Sequence, residues 1–114
     1  MKLNNPMSLN EYQEAIKKFA IYPGAGTGNL AALSYTALGL TEEAGEYAGK
    51  ISKLIRDNVF ETNLAAKELG DALWQLTRAA TELNMTLEQI AQQNLDKLTK
   101  RLKNGTISGS GDTR

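Results

Sequence analysis

Neither cysteine nor histidine occurs among the 114 residues of this chain. Those absences remove disulfide frameworks, Cys-rich zinc sites, thiolate nucleophiles, Ser-His-Asp triads and imidazole acid–base chemistry. No sign of charge is in excess either, because 13 Lys and Arg face 13 Asp and Glu, which argues against a nucleic-acid polymer as partner. No apolar run approaches the roughly 20 residues that span a bilayer, and the opening MKLNNPMSLN has no signal-peptide h-region. The expectation is a cytoplasmic protein with no membrane partner. Any catalysis must rest on carboxylates, Lys, Tyr or backbone groups, and carboxylate oxygens favour hard cations such as Mg2+, Mn2+ or Ca2+.

What is present is helical patterning almost throughout. Ser8 and Glu11 form a capping box, after which Leu9, Tyr12, Ile16 and Phe19 recur at helical spacing up to about Ala20. The following Tyr22 to Asn29, with three Gly and one Pro, reads as a loop. It lacks the G-x-x-x-x-G-K-[ST] pattern of a phosphate cradle and no strand precedes it. A second helix occupies much of Leu30 to Asp57, with Leu40, Ala44, Tyr47, Ala48, Ile51, Leu54 and Ile55 as its apolar stripe. A third runs from about Asn63 to Leu83, with Ala65, Leu69, Ala72, Leu73, Leu76, Ala80 and Leu83 on one side and Asn84 placed as its C-terminal cap. Thr86 and Gln89 make a second capping box for a helix ending at Asn104-Gly105. These elements predict one all-α domain over 1–105, an antiparallel four-helix-bundle-like subunit. The polar, Gly/Ser-rich tail 106–114 is expected to be flexible unless something binds it.

The charged residues are not scattered. At about 100° per residue, Glu43, Glu46, Lys50 and Lys53 fall within an arc of roughly 80° beside the apolar stripe of the second helix. On the third helix Glu68 and Asp71 are an i, i+3 pair. One E-x-x-E is most often a solvated helix face. Two such pairs beside surfaces that should pack are different, because clustered carboxylates repel unless a divalent cation turns them into a ligand shell. On the fourth helix Asn94, Lys97 and Arg101 share a face, and cations with a nearby amide suit a polyphosphate. The plainer reading is that Lys97 and Arg101 complement the helix dipole.

Glu42-Glu43-x-x-Glu46, a gap of 21 residues, then Glu68-x-x-Asp71 resembles the signature of the all-α nucleoside triphosphate pyrophosphohydrolases, the MazG-like family. ALGLTEEAGEYAGKISKLIRD, ELGDALWQL, NLDKLTKR, GSGDTR and YPGAG extend the likeness from about Tyr12 to Arg114. The resemblance implies Mg2+-dependent attack of a metal-activated water between the α- and β-phosphates of a (d)NTP, giving (d)NMP and pyrophosphate, with Mn2+ as a possible substitute. It implies Glu43, Glu46, Glu68 and Asp71 as metal ligands and Glu42 as the group that orients or deprotonates the water. Lys50, Lys53, Asn94, Lys97 and Arg101 are the implied phosphate contacts. It also implies a homodimer or dimer of dimers in which helices of two chains complete the bundle. The alternatives are a non-catalytic helical interaction or nucleotide-binding module, and a phosphoribosyl-ATP pyrophosphohydrolase of the same superfamily.

Overall fold

The computed structural model describes residues 6–114, so the first five residues of the expected 1–105 domain lie outside it. The described residues form four α-helices and no strand: α1 Leu9–Ala15, α2 Leu30–Asp57, α3 Thr62–Glu82 and α4 Leu87–Asn104. Both capping boxes form. Ser8 accepts from the Glu11 amide, Thr86 accepts from the Gln89 amide, and each Glu or Gln side chain returns a bond to the cap backbone. α3 closes on a left-handed Asn84 at φ 57°, where the Met85 amide bonds Ala80 O and the Asn84 amide bonds Thr81 O. That double closure satisfies carbonyls that the helix end would otherwise leave bare.

The first helix is shorter than its periodicity predicts. It stops at Ala15, and Lys17–Phe19 tighten into a 3-10 turn, so the expected end at Ala20 is corrected. The turn buries Ile16 while leaving Phe19 exposed. Polar side chains of α1 fasten it to the α3–α4 corner. Gln13 is buried, donates to Thr81 Oγ1 and Met85 O at 3.0 Å, and accepts from the Leu87 amide at 2.8 Å.

α2 and α3 pack against each other as an antiparallel hairpin, whereas α4 meets only α1 and α3 and makes no close approach to α2. The seam of the hairpin is small and polar. Ala32, Thr36 and Gly39 of α2 are buried, as are Ala65, Gln75, Thr77, Arg78, Ala80 and Glu82 of α3. The leucines expected to form the core face outward instead: Leu69, Leu73, Leu76 and Leu83 on α3 are all exposed, as is Ile55 on α2. On α4, Leu95, Leu98 and Leu102 form an exposed row at i, i+3, i+7. The radius of gyration is 16.7 Å, against about 13 Å for a compact domain of this length. A single chain is therefore an open arrangement whose apolar stripes are largely uncovered. No helix of the described residues is long and apolar enough to cross a membrane.

Candidate active site

The hairpin brings three of the predicted ligands together. Carboxylate oxygens of Glu43, Glu68 and Asp71 all lie within 4.8 Å of one another. Helical spacing produces this: Glu43 lies one turn beyond Gly39 on α2, and Glu68 and Asp71 lie two turns and one turn before Gln75 on α3. Since Gly39 lies directly against the Gln75 side chain, the next turn of each helix meets across the same seam. Burial raises the Glu43 carboxyl above its ordinary range, and the negative charges of Asp71, Glu42, Glu68 and Glu46 push it further the same way. Among the described residues one cation is near: Lys50 Nζ stands 4.0 Å from Glu68 Oε1. Hard oxygen donors on rigid helices, with excess negative charge among them, fit a divalent cation of the Mg2+ type.

Glu46 and Glu42 stand outside that close set, both exposed, and act on Glu43 through charge. Lys50 and Lys53 line a small cleft of about 180 Å³ with Val59, Phe60, Glu61 and Leu64 at the α2–α3 turn. Asn94 and Lys97 lie elsewhere, lining a shallow hollow of about 300 Å³ on α4 with Ile90 and Gln93. Arg101 is buried and its Nη2 bonds Gly111 O at 3.3 Å and Asp112 O at 3.2 Å. Among the described residues Lys97 and Arg101 pair with Asp112 of the tail and not with the carboxylate cluster, and α4 makes no close approach to α2. The tail that was expected to be flexible is folded back, with the Arg114 guanidinium donating to the carbonyls of Thr106, Ile107 and Gly111.

The family that matches residues 32–106 is the MazG nucleotide pyrophosphohydrolase domain. The chain belongs to the MazG family. A gene 37 protein of Mycobacterium phage L5 is 41% identical to it, over 95% of this chain and all of that relative. No solved structure matches. The MazG match spans α2, α3 and α4, so it takes in every carboxylate and cation of the sequence-derived site.

One part of this MazG chain escaped the sequence reading. Glu82, fully enclosed at the end of α3, accepts from the Tyr22 hydroxyl and from the Gly26 and Gly28 amides at 2.8 and 2.9 Å. Arg78 lies one turn earlier, 3.5 Å from Glu82, and its Nε donates to the Tyr22 oxygen at 3.0 Å. Burial opposes the Glu82 charge, but the hydroxyl, two amides and the guanidinium outweigh it, so the carboxyl lies below its ordinary range. The Tyr22 ring in turn stacks on Tyr35 of α2, centroids 4.6 Å apart. The glycine loop is thus a strap tied to α3, and at Gly28, φ +68°, a Cβ would stand 2.8 Å from Glu82 O. The sequence signal was available in Arg78 and Glu82 at i, i+4.

Proposed function

We propose that this protein is a Mg2+-dependent nucleotide pyrophosphohydrolase that cleaves a (d)NTP between its α- and β-phosphates, releasing (d)NMP and pyrophosphate. The observation that carries the reading is the convergence of Glu43, Glu68 and Asp71 within 4.8 Å across the α2–α3 seam of a MazG chain. These three, with Glu46 one turn along α2, hold Mg2+, or Mn2+ in its place. Bound there, the ion supplies Lewis acidity at the phosphoryl oxygens and lowers the pKa of a neighbouring water. Glu42, exposed beside the cluster, orients that water and accepts its proton as the α-phosphorus is attacked. Lys50 and Lys53 offset charge on the pyrophosphate that leaves.

Asn94, Lys97 and Arg101 join the phosphate contacts from a second copy of the chain. Support comes from two features: α4 makes no close approach to α2 within one chain, and the leucine rows of α3 and α4 are uncovered. The working unit on this reading is a homodimer or a dimer of dimers, each chain contributing one domain over 1–105 and a short tail. The test is a panel of dNTPs, NTPs and phosphoribosyl-ATP with Mg2+ and identification of products. Monophosphate and pyrophosphate are expected from a (d)NTP, and Glu43→Gln or Glu68→Gln should reduce turnover by about 100-fold or more. Orthophosphate release, undiminished turnover in both variants, or binding without turnover would sink the proposal. Turnover of phosphoribosyl-ATP alone would reassign the substrate.

A further inference from the structure

We propose that the Lys97–Arg101 face of α4 is an anion site for a pyrophosphate group, in which the chain's own Asp112 is a displaceable counter-ion. The inference rests on the phosphate-contact role proposed above for those two cations. Asp112 Oδ1 lies 3.5 Å from both Lys97 Nζ and Arg101 Nη2. Charge-assisted bonds of this kind usually close to about 2.7–2.9 Å, so the carboxylate is held loosely by two cations that together exceed its charge. Its side chain is 90% exposed, so it can leave for water with little loss of contact.

The two cations are differently fixed. The Arg101 side chain is 8% exposed, and its Nε is buried with no hydrogen-bond partner among the described residues. The atom that faces the Asp112 carboxylate is Nη2, which also donates to the Gly111 and Asp112 carbonyls, so the guanidinium is held in place by the tail backbone when the carboxylate leaves. Lys97 is half-buried and borders the hollow that Ile90, Gln93 and Asn94 also line. A multivalent anion in that hollow meets Lys97 and the side-chain amides of Gln93 and Asn94. Phosphate oxygens carry more charge than one carboxylate and accept at several points, so they replace it on both cations.

Departure of Asp112 does not require the tail to unfold. Arg114 holds Thr106 O at 3.0 Å, Ile107 O at 3.0 Å and Gly111 O at 2.7 Å, independently of the Asp112 carboxylate. The exchange is therefore local: a side chain swings out while the loop stays fastened. The same pyrophosphate chemistry arises from the β,γ end of a bound triphosphate or from the free product.

The full-length protein titrated with inorganic pyrophosphate without Mg2+, by calorimetry, tests the inference. Asp112→Asn should tighten pyrophosphate binding by about two- to fivefold, the range that exposed ion pairs allow. Asp112→Glu, which keeps the competing charge, should stay at the wild-type affinity, and Lys97→Met should weaken binding. The Glu variant separates removal of charge from any loosening of the tail. A parallel fall in KM for a dNTP identifies the substrate's own phosphates as the ligand, and tightening confined to pyrophosphate identifies the product. Unchanged or weaker pyrophosphate binding in Asp112→Asn, or no binding by either protein, overturns the proposal. Because this titration needs no turnover, absent hydrolysis with intact pyrophosphate exchange would count against the catalytic reading alone.

Discussion

Glu82 is the residue on which the largest stability effect should fall. Its carboxylate is enclosed, paired with Arg78 and bonded by two loop amides and a hydroxyl. Glu82→Ala leaves the Arg78 guanidinium buried without a charge partner, and should cost about 3–5 kcal/mol in urea unfolding. The pH dependence follows from the lowered pKa of Glu82. Its contribution is complete above the ordinary Glu value of about 4.3 and is lost as pH falls through the lower folded-state value. The gap between wild type and Glu82→Gln should therefore narrow in acid. The approach of Glu43 to Glu68 and Asp71 could be anticipated from sequence because spacing along two helices is the whole of its signal. Glu82 could not be read as fully, because its partners Tyr22, Gly26 and Gly28 lie in a loop 54 to 60 residues away. Only Arg78 stands at a distance that helical periodicity reports.

At the scale of elements, the four helices and all their ends but that of α1 follow from capping boxes, periodicity and the left-handed Asn84 and Gly105, so they are legible before any packing is known. What packs against what is less legible. A hydrophobic stripe ranks Leu69, Leu73 and Leu76 above Gly39, Thr36 and Ala32, yet the smaller residues make the hairpin seam. Periodicity says which face is apolar but not which part of that face the chain covers by itself. The seam has a test at its tightest point. A methyl at Gly39 would collide with the terminal amide of the buried Gln75, so displacing that amide should more than offset the roughly 1 kcal/mol that Ala contributes to a helix, and Gly39→Ala should be net destabilising. Combining it with Gln75→Ala should recover most of that loss in thermal unfolding. An additive double mutant would mean that the contact is not the cause.

The whole molecule is more extended than its length requires, at 16.7 Å, and its apolar rows lack a covering surface in one chain. Light scattering should report a mass of at least twice the 12.4 kDa chain. Leu98→Glu with Leu102→Glu, placed in the exposed row of α4, should shift the population to monomer, and retention of the wild-type mass would exclude that row from the interface. Mg2+ should raise the melting temperature of wild type but not of Glu43→Gln, since an ion held only by the folded state stabilises it by mass action.

The distance between α4 and α2 has one more consequence. If the carboxylates of one chain work with the cations of another, activity per molecule depends on how many molecules there are. Below the dissociation constant of the pair, turnover rises with the square of protein concentration; above it, linearly. Diluting the protein while following turnover should reveal that bend, and the leucine-row variant should move it to higher concentration. Expression level then becomes a switch for nucleotide hydrolysis, and a few stray copies of the chain leave the nucleotide pool untouched.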